Sequence, residues 1–224
     1  MQSKNLPQLE PTTKCTIKFN DITYVPVNEK MTANIFSLLA CTEKQKKIRT
    51  WLNIAGIKLI HFDKERHIFK TSNEVVIDAF WYIINKVISA KQNYQLVLYK
   101  NIILNTQRTK NNNIEEIKSF VDIVSDYSQN HINVLKLIDG IMDYFVSIGT
   151  TESNSIPPTI ENCIECAIVE LSKHNIEIQQ IWEDLFQLGL RKESSLHRWM
   201  TVKMFVYMSL VTEQGKTFLK YIEN

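Results

Sequence analysis

A mainly helical protein is predicted, with a small basic α+β unit at the amino-terminal end followed by an acidic helical bundle. Three observations lead there. The chain of 224 residues has only 5 Gly and 5 Pro, too few for a turn-dense all-β design. Apolar residues recur every three or four positions through most of the chain. Charge is also split: residues 1–112 hold 17 basic and 8 acidic residues, a net +9, and residues 113–224 hold 9 basic and 16 acidic, a net −7. The whole chain then carries +2. A basic half attracts polyanions and an acidic half repels them. The three segments expected are a tail over 1–12, a basic domain over 13–105 and an acidic bundle over 113–224.

The opening residues MQSKNLPQLEPTTK are polar and contain Pro7 and Pro11, so they read as a flexible tail without the apolar stretch of a secretory leader. Short strands are predicted around Cys15–Phe19 and Thr23–Val27, joined by a turn at Asn20-Asp21. Helical spacing begins near Thr32 with Ile35, Leu38 and Leu39. Thr42 and Gln45 form a capping-box pattern for a helix over Glu43–Ala55. Its apolar stripe is Ile48, Trp51, Leu52 and Ala55, with Lys44 and Lys47 near the border and Lys46, Arg49 and Asn53 pointing elsewhere. Gly56 ends it in the position of a C′ glycine. Residues 57–70 read as a β-hairpin with a charged tip at Asp63-Lys64-Glu65-Arg66.

Ser72 or Asn73 starts the next helix, which runs to about Ala90 with a wide apolar face. Tyr94–Leu104 is apolar and fits helix or strand, and Thr106–Asn113 reads as a linker. From Ile117 to Phe145 the spacing is helical, either as one long helix or as two with a break at Ser125–Asn130. Gly149–Pro158 is a loop. Further helices are predicted at Thr159–His174, Glu177–Leu188, Ser194–Thr212 and Glu213–Ile222, with joints at Gly189 and Gly215.

Several functions are excluded by absence of motif. No G-x-G-x-x-G, G-x-x-x-x-G-K-[ST] or G-x-S-x-G occurs. No apolar run reaches the roughly 18 residues of a membrane span, since Val75–Ile84 is interrupted by Asp78. A cytoplasm-like compartment with reduced cysteines is expected. Abundant Lys, Asn and Ile fit an AT-rich coding sequence of the kind found in phages and mobile elements.

Support helix, turn, helix and hairpin over Thr32–Lys70 resemble, in arrangement, the tail of a winged helix-turn-helix. That resemblance implies a recognition helix lined by Lys44, Lys46, Lys47 and Arg49, a wing tip with Lys64 and Arg66, and flanking Lys58 and Lys70. DNA or RNA would be the partner. The other reading of the same lysines is a solvated surface, or one that docks on the acidic half.

Cys163-x-x-Cys166 has the spacing of redox and zinc sites, with His174 as the nearest further ligand, but two buried small residues on a helix explain it as well. Arg191 and His197, five residues apart, resemble the R-x(4–6)-H motif of HEPN ribonucleases, all-helical proteins frequent in toxin and defence systems. That resemblance implies RNA cleavage at a dimer interface, although Lys192 stands where the family has a polar Asn, Asp or His. The pairs Asp122/Asp126, Asp139/Asp143 and Glu161/Glu165 share helix faces and read as solvated or partner-facing. His61, His67 and His131 are scattered and read as structural. Trp199 is the candidate for partner binding among the aromatic residues near the carboxy-terminal end.

The resulting expectation is a non-enzymatic binding protein without a cofactor or metal. It would contact nucleic acid or a nucleoprotein through its basic half, and a protein partner or a second copy through its acidic half. A purely protein-binding inhibitor, immunity factor or assembly scaffold is the alternative, and a ribonucleolytic reading follows third.

Overall fold

The structure is a computed structural model. It describes residues 14–19, 22–24, 42–62, 74–109, 113–140, 159–168, 175–192, 195 and 209–223. The expected tail, the helix near Thr32, the turn at Asn20-Asp21, the loop at Gly149–Pro158 and the return strand at His67–Lys70 lie outside them. Eight helices and three strands are present among the described residues, so the protein is mainly α. Two compact units divide the chain, Met1–Ser125 and Asp126–Glu223.

In the first unit, strands β1 (Lys14–Phe19), β2 (Ile22–Tyr24) and β3 (Ile57–Phe62) form an antiparallel sheet in the order β2-β1-β3. β3 pairs along its whole length with β1, from Lys14 opposite Phe62 to Phe19 opposite Ile57. Helix α1 (Thr42–Ala55) begins at the residue predicted to cap it. Its stripe Ile48, Trp51, Leu52 and Ala55 is buried as expected, because these positions fall on one side of a 3.6-residue period. Gly56 follows with φ +67° and leads straight into β3. A Cβ there would meet nothing within 4 Å, so the left-handed backbone alone selects glycine.

Helix α2 (Glu74–Ser89) buries Val76, Ile77, Ala79, Phe80, Ile83, Ile84 and Val87, while Val75 and Ile88 sit at its margin. Glu74 in the first turn suits the positive end of the helix. The ambiguous segment is helix α3 (Asn93–Arg108). Gln95 secures its start: its side-chain carbonyl accepts from the amides of Lys91 (2.9 Å) and Gln92 (3.2 Å). The same side chain donates to the carbonyls of Val124 (3.1 Å) and Ser125 (3.2 Å). α1 packs against α2, α3 and β3, and α2 against α3.

The linker predicted from Thr106 begins later, because α3 continues to Arg108. Thr106 is fully buried and its hydroxyl donates to the Ile102 carbonyl at 2.8 Å, which lets a polar residue stay inside a helix core. Helix α4 (Ile114–Asp126) starts with the Asn113 side chain accepting from the Glu115 amide at 3.0 Å. It was grouped with the acidic bundle on charge, yet it belongs almost entirely to the first unit. Asp122 shows why: it accepts from the Tyr82 hydroxyl (2.8 Å) and pairs with Lys86 (2.7 Å), both on α2. Burial and the Asp122 carboxylate hold the Tyr82 phenol above its ordinary pKa.

The second unit contains α5 (Gln129–Asp139), α6 (Ile160–Ala167), α7 (Asn175–Gln187) and α8 (Glu213–Ile222). Of the two readings for 117–145, the one with a break is correct: Ser128 is extended (φ −75°, ψ 163°) and stands at the N-cap position of α5. α5 packs against α6, α7 and α8. The core draws on Ile132, Val134, Leu135 and Ile138 of α5, and Ile181 and Leu185 of α7. α6 ends at Ala167, short of the predicted His174, and residues 169–174 lie outside the described set.

A short extended clip joins the ends of this unit. Arg191 and Val211 form an antiparallel bridge. Lys192 N–H donates to Leu210 O (2.8 Å), Thr212 N–H to Leu190 O (3.0 Å) and the Thr212 hydroxyl to Gly189 O (2.7 Å). Gly189 is the joint that was expected, with φ +67°. Two expectations are corrected here. The helix predicted over Ser194–Thr212 does not reach Thr212, because residues 210–212 are committed to the clip. Gly215 is not a joint but lies buried inside α8, pressed against the clip.

Candidate functional site

The exposed side of α1 is the candidate binding surface. Lys46, Arg49, Thr50 and Asn53 are exposed at helical spacing, and the core stripe lies behind them. Lys47 is exposed too, but its ammonium donates to the carbonyls of Ile88 and Ala90, each at 3.2 Å. These groups close the negative end of α2, where a cation is favourable. Lys91, exposed and next in the chain to Ala90, is a cation that sequence reasoning missed. Only the tertiary pairing of α1 with the end of α2 brings Lys47 to those carbonyls.

Ion pairs among the described residues include those of Lys86, Lys118, His131 and Lys216, and none of these joins Lys46, Lys47 or Arg49 to a carboxylate. Lys44 belongs to the first turn of α1, and Lys58 lies in β3 directly opposite Lys18. Lys64, Arg66 and Lys70 lie outside the described residues.

The cysteine pair sits within α6. Cys163 is buried and its thiol donates to the Thr159 carbonyl at 3.1 Å, whereas Cys166 is exposed. Burial, and secondarily the neighbouring Cys166, pushes the Cys163 thiol up to about 12. No group of three or more metal-ligating side chains occurs among the described residues, and His174 is outside them. Cys163 therefore reads as a core residue. Alkylation with iodoacetamide at pH 8 should modify Cys166 at least about tenfold faster than Cys163, as thiolate fraction and access require. Peptide mapping measures this, and equal rates would contradict the burial of Cys163.

Arg191 is buried, and its Nε donates to the Trp182 carbonyl at 2.5 Å. Its guanidinium lies 4.1 Å from the Trp182 ring centre and 4.8 Å from that of Phe186. The side chain is thus packed against α7 within the clip, not displayed on a surface where RNA could reach it. His197 and Trp199 lie outside the described residues. Asp122 of the acidic pairs is engaged by Tyr82 and Lys86.

A second cluster was not read from the sequence. His131, on α5, is hydrogen-bonded through Nδ1 to Ser128 Oγ (2.9 Å) and through Nε2 to Asp184 of α7 (3.0 Å). The Ser128-x-x-His131 spacing is visible in the sequence, but Asp184 lies 53 residues from His131 and joins only when α5 packs on α7.

Comparison with family models, curated proteins and solved structures finds no match. Among the described residues, no helix is long and apolar enough to cross a membrane.

Proposed function

We propose that the protein binds nucleic acid through the exposed face of α1, as a binding protein rather than an enzyme acting on that ligand. The observation that carries this reading is Lys46 and Arg49, exposed with Thr50 and Asn53 beside them and without a carboxylate partner among the described residues. A helix fits the major groove of a duplex, lysine and arginine neutralise phosphates, and asparagine can pair with a base edge. Lys47 adds charge at the end of the face that meets α2. The finer reading is winged-helix-like, with α1 as recognition helix and residues 57–70, of which β3 is the described part, as wing.

The acidic second unit would then carry a protein partner. That part rests on the charge of the second unit. A purely protein-binding role would rest on this unit alone.

Anisotropy titration of a labelled random-sequence duplex between 50 and 200 mM salt tests the reading. Affinity should fall steeply with salt, and changing Lys46 and Arg49 together to Ala should reduce the log–log slope by about 2. Lys47 is left intact in that variant because it also caps α2. Absence of binding at the lowest salt, or an unchanged slope in the variant, would remove nucleic acid as the ligand of this face.

A further inference from the structure

Ser128, His131 and Asp184 form a hydrogen-bonded chain in the second unit, and it shares no residue with the basic face. Ser128 occupies the cap of α5, where a serine ordinarily accepts from the amides of the first turn. Its hydroxyl makes no such bond and lies 2.9 Å from His131 Nδ1 instead. On the far side of the ring, Asp184 Oδ2 is 3.0 Å from Nε2. A carboxylate only accepts, so Nε2 carries the proton and Nδ1 keeps its lone pair for the serine O–H.

The ring is held in that orientation. Tyr127 packs against it in an edge-type arrangement, with ring centroids 5.0 Å apart. The His131 side chain is 13% exposed. The second carboxylate oxygen of Asp184 accepts from Gln180 Nε2 at 2.9 Å. Ser128 itself is exposed, so a small molecule can reach the hydroxyl while the base behind it stays sheltered. The His131 amide donates to the Ser128 carbonyl at 3.1 Å, which fixes the turn that carries both side chains.

We propose that Ser128 is an activated nucleophile for acyl transfer from small, activated carboxylic esters. His131 is the catalytic base and Asp184 its positioning residue. Ser128 Oγ forms a bond to the ester carbonyl carbon while its proton passes to His131 Nδ1. The carbon–oxygen bond to the leaving alcohol breaks, and that alkoxide takes the proton from Nδ1. Water then attacks the acyl-serine, gives a proton to Nδ1, and the carboxylic acid leaves as the proton returns to Ser128 Oγ.

The test uses the full chain. p-Nitrophenyl acetate reports turnover by release of p-nitrophenolate. A fluorophosphonate reports the nucleophile, because the same hydroxyl displaces fluoride and keeps the label through peptide mapping. Label should concentrate on Ser128 and not on Ser89, another exposed serine, whose hydroxyl donates to the Lys86 carbonyl. Ser128→Ala should abolish the protein-dependent hydrolysis. His131→Gln should slow labelling roughly a hundredfold, as removal of a general base does. Asp184→Asn should lower kcat about tenfold and leave KM unchanged, whereas merely structural damage would shift both. Ser128 labelled no faster than Ser89 in the wild-type protein overturns the proposal without any variant, as does full hydrolysis by Ser128→Ala.

Discussion

Replacing Phe80 with alanine is expected to lower the stability of the first unit by about 4 kcal/mol, the range for emptying a buried aromatic site. Phe80 is fully buried at the centre of α2. Its ring lies 6.0 Å from that of Trp51 on α1 and meets Trp81 edge-on at 5.6 Å. Removing it leaves a void that Trp51, itself fully buried, cannot fill without leaving its own place. Urea denaturation followed by tryptophan fluorescence should show the midpoint of the first unit falling by about 2 M. Phe80→Leu, which keeps most of the volume, should cost roughly 1 to 2 kcal/mol. A shift below about 1 kcal/mol for the alanine variant would mean that Phe80 is not packed as described.

Gly215→Ala is expected to destabilise the second unit by about 3 kcal/mol, although helix propensity points the other way. In an exposed helix the exchange would gain about 1 kcal/mol. Here a Cβ would run into the Leu190 carbonyl and a Val211 methyl, both part of the clip. Backbone on one side cannot rotate away, so α8 or the clip must move. Moving the clip strains the bonds of Lys192 to Leu210, of Thr212 to Leu190 and of Thr212 to Gly189. Each is worth about 1 kcal/mol net, and overpacking adds about 1 to 3 kcal/mol. The collision outweighs the propensity gain. Thermal unfolding by circular dichroism measures the sign, and a rise in Tm would show that α8 does not approach the clip this closely.

Much of the fold was legible because its signals are local. The stripe Ile48, Trp51, Leu52 and Ala55 needs only the helical period, and its burial follows. Gly56 and Gly189 were readable as helix ends because a left-handed residue there is a backbone requirement that glycine meets. Tyr94–Leu104 could not be decided by pattern, since a short apolar run suits strand and helix alike. Gln95 decided it by capping α3 with one end of its amide and reaching the carbonyls at the end of α4 with the other. Gly215 was misread for a related reason: a glycine chosen for close approach looks the same in sequence as one chosen for a turn.

The candidate sites divide in the same way. Lys46 and Arg49 could be placed on the exposed face of a helix from spacing alone. That Lys47 would be drawn to the end of α2 depends on how α1 and α2 meet. Arg191 entered as a candidate only through its spacing to His197. Trp182 and Phe186, reached only through the fold, bury it.

By itself, the order of residues determined the helical class, most helix positions, and which side of each helix turns inward, because period and capping act over a few neighbours. Tertiary structure alone decided the pairing of β3 with β1, the attachment of α4 to the first unit, and the meeting of Ser128 and His131 with Asp184. Those depend on distances between residues far apart in the chain. Such distances are set by packing of whole surfaces, and no short stretch of sequence encodes them.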